Sequence, residues 1–187
     1  MLILFAGYDR SGKDSAFEAI QEVYPEAQRI ALADRLKDVC RAVFGVVEDM
    51  KDTGAEEYYR MCLTKTSEVM KIASGTNTYF SEYLEEYIEI KNLCASDTLY
   101  VCTDGRYDYE IEYFRNTMSE FCCEKQIPPA FFPVKLTRPD IPATKYALEN
   151  HNFPRYKNFY TEIKNDSDII TYKNRVQKFV KTLLDGK

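Results

Sequence analysis

Residues 2–20, LILFAGYDRSGKDSAFEAI, decide how the rest of the chain is interpreted. Leu2–Ala6 is a short apolar run that ends at Gly7, which predicts a buried β-strand. The segment from Gly7 to Lys13 fits the spacing GxxxxGK, and apolar residues at helical spacing follow it. A glycine-flanked loop between a strand and a helix can form a nest of backbone N–H groups at a helix N-terminus. The stretch therefore predicts a phosphate-binding loop, and the alternative is a glycine-rich turn with a solvated lysine.

Two side chains at the start of this helix carry different expectations. Lys13 is a flexible point charge that can reach the outer phosphates of a bound polyphosphate. Asp14 stands where Ser or Thr usually follows the lysine, and a carboxylate beside polyphosphate is repulsive unless a cation intervenes. Asp14 therefore either holds Mg²⁺ or only caps the positive end of the helix, and the sequence leaves both open. Ser15 is then the hydroxyl nearest to the phosphates.

Composition limits the classes of protein to consider. A chain of 187 residues with 45% hydrophobic residues can form one domain with a sizeable core. The net charge of -5 argues against a protein that coats duplex nucleic acid. No stretch approaches the roughly 20 apolar residues of a membrane span, and Leu2–Ala6 is too short for a signal peptide. Six cysteines without a CxxC pair, beside one histidine, indicate free thiols in a reducing cytoplasm rather than a zinc site.

Strand and helix patterns alternate along the chain. Beyond the first strand and helix, apolar runs predict strands at residues 29–33, 98–103, 131–136 and 160–163. Helical spacing predicts helices at 36–44, 58–73, 79–93, 111–122 and 176–184, and the acidic segment 48–57 lacks a pattern and predicts a loop. This alternation predicts an α/β fold with a mostly parallel sheet and helices on both faces.

Three further motifs occur in order after the first: LADRLKD at residues 32–38, TDGRYDYE at 103–110 and VKLTRPD at 134–140. Together with SGKDS at residues 11–15, they resemble the bacteriophage deoxynucleoside-monophosphate kinases. These are P-loop kinases, a superfamily that also includes dephospho-coenzyme A kinase and phosphomevalonate kinase. The resemblance implies the three-layer P-loop NTPase fold with a small helical lid and acceptor-binding region. It implies one domain over residues 1–187, with a helical acceptor-binding insertion at about 46–95 and a lid at about 138–158.

The resemblance also implies a donor site for ATP and Mg²⁺. The residues that it assigns to ATP are Asp9, Arg10, Ser11, Gly12, Lys13, Asp14, Ser15 and Arg138. Those that it assigns to catalysis are Lys13, Asp104, Arg106 and Arg138. The metal would be held by Asp14, Ser15 or Asp104.

The acceptor site is implied in the same way. Its residues would be Lys37, Arg60, Gly75, Thr76, Asp104, Arg106 and Glu110, and Arg155 would belong to the lid. Where the family has Arg and Gln before the Gly-Thr pair, this chain has Glu68, Val69 and Ile72, so Arg60 or Lys65 would supply the positive charge. The alternatives are that Asp104 and Arg106 form a strand-end ion pair and that Lys37 is solvated.

The function implied by the resemblance is transfer of the γ-phosphoryl group of ATP to a (deoxy)nucleoside monophosphate. It would take place in the cytoplasm, that of the host for a phage protein, with no nucleic-acid or membrane partner, and a homodimer is left open. A kinase of the dephospho-coenzyme A or phosphomevalonate type and a non-catalytic nucleotide-binding module are the alternatives. NDSD at residues 165–168 does not supply the NKxD guanine signature, which counts against a GTPase.

Overall fold

The computed structural model describes residues 1–46, 50, 54–77, 90–95, 97–142, 148 and 155–185. The first half of the chain contains β1 (Leu2–Ala6), α1 (Lys13–Gln21), β2 (Gln28–Ile30), α2 (Asp34–Phe44) and α3 (Glu56–Ser74). The second half contains α4 (Ile90–Ala95), β3 (Tyr100–Gly105), α5 (Asp108–Lys125), β4 (Phe131–Thr137), β5 (Thr161–Lys164) and α6 (Ile169–Asp185).

The five described strands form one sheet in the order β2-β3-β1-β4-β5, and every pair in it is parallel. β1 lies in the centre, where Ile3 pairs with Val101 of β3 and with Phe132 of β4. Every residue of β1 is buried, because neighbouring strands cover both edges and helices cover both faces. Since the strands are parallel, the loops after β1, β3 and β4 all leave from the same edge of the sheet.

Hydrophobic layers cover both faces of the sheet. One layer joins alternate residues of β1, such as Ile3 and Phe5, to Ala16 and Ile20 of α1 and to Val176 of α6. The other β1 residues, Leu2 and Leu4, are fully buried too, as are the apolar residues of α5 and α4 that form the opposite layer, Ile111, Phe114, Met118 and Leu93. Helix, sheet and helix thus give three layers, as the alternating pattern predicts.

The chain divides into two compact units, residues 1–30 with 88–187, and residues 31–87. The first unit contains the sheet with α1, α4, α5 and α6, and the second contains α2 and α3. The predicted helix 36–44 is confirmed, and it ends at Gly45, whose φ of 65° is left-handed. The division into a kinase domain, an insertion and a lid stays a prediction.

Two expectations for the middle of the chain are met in part. The predicted loop at 48–57 overlaps the start of α3, because Glu56 and Glu57 already form its first turn, where acidic side chains are favourable. Of the predicted helix 79–93, residues 79–89 lie outside the described residues, and α4 begins at Ile90.

No helix in the described part of the chain is long and apolar enough to cross a membrane, and all six cysteines are free thiols.

Candidate active site

The loop between β1 and α1 curls tightly because of two left-handed residues. Arg10 has φ 63°, and Gly12, which precedes the first residue of α1, has φ 98°. The Ser11 N–H donates to Tyr8 O at 3.2 Å and closes the turn. Alternation of right- and left-handed backbone turns successive N–H groups toward one side, which is the geometry of an anion-binding nest.

Glycine is required at both ends of this loop. A Cβ on Gly7 would lie 2.8 Å from the backbone oxygen of Leu136, at the end of the neighbouring strand β4. A Cβ on Gly12 would lie 2.6 Å from the side-chain nitrogen of Asn165, in addition to the cost of its left-handed φ. The spacing GxxxxGK is therefore explained here by close packing at Gly7 and by backbone conformation at Gly12.

Lys13 is buried within the curl of the loop, with 8% of the residue exposed. Its Nζ donates to Gly7 O at 2.9 Å and to Tyr8 O at 2.8 Å, and lies 3.5 Å from Ser11 Oγ. Desolvation of the buried ammonium, and next the positive charge of Arg106, lower the pKa of Lys13 to about 8. The lysine is thus still mostly charged at pH 7, but its proton is held weakly for a lysine.

The end of β3 lies against the same loop. The Gly7 N–H points to Gly105 O at 3.4 Å, so the loops after β1 and β3 run side by side. Arg106 reaches across, with its Nη2 3.5 Å from Asp9 Oδ1. The loop with Lys13 and the motif with Arg106, which are more than ninety residues apart in sequence, therefore present their two cations together.

Glu110 fixes the backbone next to Arg106. It is 6% exposed, and its Oε2 accepts hydrogen bonds from the backbone N–H groups of Arg106 at 2.9 Å and Tyr107 at 3.0 Å. A carboxylate in the first turn of α5 that accepts from the preceding backbone stabilises the start of that helix. Glu110, predicted for the acceptor site, thus holds the segment that carries Arg106.

The two arginines predicted to close over the phosphates have different surroundings. Arg138 follows β4 directly, and its Nη1 donates to the loop carbonyl of Arg10 at 3.4 Å. Arg155 is exposed, and the buried Tyr156 next to it accepts a hydrogen bond from Arg115 of α5. Most of the predicted lid, residues 143–147 and 149–154, lies outside the described residues.

The second unit, residues 31–87, contains the other predicted acceptor residues. Lys37 of α2 lies 3.5 Å from the carboxylate of Asp34, and Arg60 of α3 lies 2.8 Å from that of Glu56. Pairs of this kind on a helix surface contribute little to stability, so both cations can exchange their partner for a phosphate. Their role in binding an acceptor stays a prediction.

The predicted Gly75-Thr76 pair marks the end of α3. Gly75 is the left-handed residue that terminates the helix, with φ 72°, and Ser74 Oγ lies 3.4 Å from Thr76 O. Val69 and Ile72, which stand where the resemblance would place polar residues, are 64% and 81% exposed. The Gly75-Thr76 pair therefore lies directly after the end of α3.

Comparison with known proteins gives structural likeness only. No protein-family model matches the chain, and no curated protein matches it. A protein from Thermus thermophilus is 12% identical with a TM-score of 0.52, over 98% of this chain and 97% of that one. A gluconokinase from Sinorhizobium meliloti is 13% identical with a TM-score of 0.51, over 98% and 93%. A thymidylate kinase from Candida albicans is 12% identical with a TM-score of 0.46, over 100% and 93%.

Two of these structures have TM-scores above 0.5, and this likeness agrees with the strand order β2-β3-β1-β4-β5 and with the curled loop after β1. The chain has the three-layer α/β P-loop fold. Because these likenesses lie far below 25% identity, they extend to the fold and not to a substrate.

The carboxylates near the P-loop suit Mg²⁺ in a site where phosphate groups also bind the ion. Asp14 is 83% exposed in the first turn of α1, with Arg29 Nη2 3.9 Å from its Oδ1, and Ser15 follows it. Asp104, at the end of β3, accepts from the Cys102 thiol at 3.3 Å. No group of three or more metal-binding side chains occurs in the described part of the chain. Such a site suits Mg²⁺, which commonly takes one or two carboxylates and completes its shell with phosphate and water.

Two residues of the P-loop surroundings were missed by sequence reasoning. Asn165 directly follows β5 and donates from Nδ2 to Ser11 O at 3.2 Å. Tyr172 of α6 donates its hydroxyl to Gly12 O at 2.9 Å. A signal existed for Asn165, because polar residues just beyond a parallel strand lie at the edge where ligands bind. Tyr172 is one of fifteen tyrosines, and no pattern distinguishes it.

Proposed function

We propose that the chain is an ATP-dependent kinase that transfers the γ-phosphoryl group to a (deoxy)nucleoside monophosphate. The observation that carries this proposal is the approach of Arg106 to Asp9 of the P-loop, at 3.5 Å. This contact supports an arrangement in which two cations lie side by side, Lys13 to bind the phosphates of the donor and Arg106 to bind the phosphate of the acceptor. Transfer between two nucleotides needs this arrangement, because both substrates are anionic and must meet in line.

Donor binding would use the P-loop as it stands. The first-turn amides of α1 have no acceptor within the helix, and the helix dipole favours an anion at this end. Lys13 Nζ would leave the carbonyls of Gly7 and Tyr8 for the β- and γ-phosphate oxygens, which are the stronger acceptors because they are charged. Asp9, Arg10, Ser11, Gly12, Asp14 and Ser15 would line the same cradle.

Acceptor binding would centre on Arg106. Its guanidinium can bind a monophosphate through two parallel N–H donors, and Glu110 holds the backbone N–H of the same residue. Asp104 would orient the acceptor or help to place the metal. Lys37, Arg60, Gly75 and Thr76 are the candidates in the second unit for the remaining contacts, as the resemblance implies.

Catalysis would consist of placement and neutralisation of charge. The acceptor phosphate is already anionic at neutral pH, so no strong general base is needed. Mg²⁺, held by Asp14, Ser15 or Asp104, would supply positive charge to the donor oxygens. Lys13, Arg106 and a closing arginine, Arg138 or Arg155, would stabilise the charge on the transferring group.

The deciding experiment is a panel of acceptors assayed with ATP and Mg²⁺, with detection of the phosphorylated product. The panel contains the deoxynucleoside and ribonucleoside monophosphates, dephospho-coenzyme A and phosphomevalonate. Diphosphates formed from the monophosphates support the proposal, whereas product from another acceptor alone would reassign the enzyme. Nucleotide binding without any product would indicate a non-catalytic module.

Lys13→Ala is the matched test of the donor site. We expect it to abolish turnover while the chain still folds, because no buried charge is left unpaired by this change. Lys125→Ala, at the far end of α5, is the control and should keep full activity. Turnover by Lys13→Ala at the wild-type rate would refute the donor site.

A further inference from the structure

Three consecutive carbonyls of the P-loop are held from outside by side chains of the last third of the chain. Each donor comes from a different element, namely the ends of β4 and β5 and the first turn of α6. The contacts are Arg138 Nη1 to Arg10 O at 3.4 Å, Asn165 Nδ2 to Ser11 O at 3.2 Å and Tyr172 OH to Gly12 O at 2.9 Å.

Asn165 and Tyr172 are both buried residues. Asn165 is 7% exposed and Tyr172 is fully buried. The hydrogen bond of Asn165 is buried, so water does not compete for it, and that of Tyr172 is partly buried. Burial also raises the pKa of the Tyr172 hydroxyl, which stays protonated as a donor. A Cβ on Gly12 would lie 2.6 Å from Asn165 Nδ2 and 3.1 Å from the Tyr172 hydroxyl.

Because a peptide group is planar, each of these contacts also determines the direction of an N–H group. Within one trans peptide the C=O of a residue and the N–H of the next residue point in opposite directions. Holding Ser11 O from outside therefore turns the Gly12 N–H the other way. Gly12 O is held by Tyr172 together with the Ala16 N–H of α1, at 2.9 Å, and this does the same for the Lys13 N–H. These are amides of the nest in which the proposed function places the donor phosphates.

We propose that Asn165 and Tyr172 are positioning residues that preorganise the Gly12 and Lys13 amides for a polyphosphate chain. Neither residue touches the phosphates. Donors that are already oriented bind an anion without a cost for reorganisation, which is why fixed amides bind more tightly than free ones. The inference rests on the proposed function only in that the P-loop binds a polyphosphate, and it does not require phosphoryl transfer.

The test uses the full chain and two probes, a nonhydrolysable ATP analogue and inorganic tripolyphosphate, each with Mg²⁺. Tyr172→Phe removes one hydroxyl and keeps the ring that packs in the core, and Asn165→Ala removes the amide. Tyr100→Phe, at a similarly buried tyrosine of β3, is the matched control. Dissociation constants are measured by calorimetry, and Tm is measured without ligand.

We expect Tyr172→Phe and Asn165→Ala each to weaken binding of both probes about three- to tenfold, the effect of one hydrogen bond. Because both side chains orient adjacent peptides, the double variant should lose less than the product of the two single losses. Tyr100→Phe should bind both probes like the wild type. In the kinase assay the KM for ATP should rise by the same factor, and kcat should change less.

Several results would overturn the inference. Wild-type affinity for tripolyphosphate in both single variants would show that the amides are oriented without these residues. A loss confined to the ATP analogue would place Asn165 and Tyr172 at the base instead. Weaker binding in Tyr100→Phe to the same extent would assign the effect to general loosening of the core. A wild-type chain that binds tripolyphosphate but transfers no phosphate would refute the kinase and leave this inference standing.

Discussion

Affinity for ATP should fall as pH rises through about 8, because Lys13 loses its proton there. The sign follows from the charge, since only the ammonium form attracts phosphate. With a pKa of about 8, the charged fraction falls from about nine-tenths at pH 7 to about one-tenth at pH 9. A lysine at the ordinary 10.5 would stay almost fully charged over this range. The expected loss between pH 7 and pH 9 is thus about tenfold.

The assay is kcat/KM for ATP between pH 7 and 9.5, which reports ionisations of the free enzyme. The phosphate itself does not interfere, because its second ionisation, near pH 6, is complete in this range. Two variants move the alkaline limb in opposite directions. Arg106→Gln removes a positive charge that lowers the pKa of Lys13, so the limb should move to higher pH, and Asp9→Asn should move it to lower pH. A profile that is flat to pH 9.5, or a limb that both variants leave in place, would refute this reasoning.

Three substitutions give independent checks of the site. Gly12→Ala forces φ 98° on an alanine and places its Cβ 2.6 Å from Asn165 Nδ2, so the rise in Tm caused by ATP should disappear, and a full rise would contradict the loop geometry. Glu110→Ala removes the acceptor of two backbone N–H groups and should lower the free energy of unfolding in urea by about 1–2 kcal/mol, whereas Glu110→Gln should recover part of it. Arg138→Ala should lower kcat about 10²-fold with little change in Tm, and an unchanged kcat would assign the closing role to Arg155.

Local sequence patterns predict the helices and strands whose bounds depend on their own residues. α2 ends at Gly45 because a left-handed residue stops a helix whatever surrounds it. β3 differs, since the apolar run predicts a strand at 98–103, whereas the strand spans Tyr100–Gly105. Its last residues are held by the neighbouring strand and loop, where Gly7 N–H meets Gly105 O, and a run of apolar residues does not report such pairing. β2 is shorter than predicted, because only three of its residues pair with β3 at the edge of the sheet.

For the candidate site, likewise, the sequence predicts residues but not their arrangement in space. Lys13 and Arg106 are found from motifs, but their proximity to each other and the depressed pKa of Lys13 depend on burial and on which strands are neighbours. Glu110 was predicted near the acceptor, and the structure gives it a backbone partner that its spacing in the motif does not reveal.

By itself the sequence determined that a strand, a curled loop and a helix would follow one another at the start of the chain, because Gly7, Gly12 and Lys13 act within a few residues of each other. Only the tertiary structure decided which side chains hold that loop. Asn165 and Tyr172 are more than 150 positions away, and they meet the loop because parallel pairing brings the ends of distant strands to one edge. Hydrogen bonds over that separation depend on the order of the strands in space, which no local pattern of residues encodes.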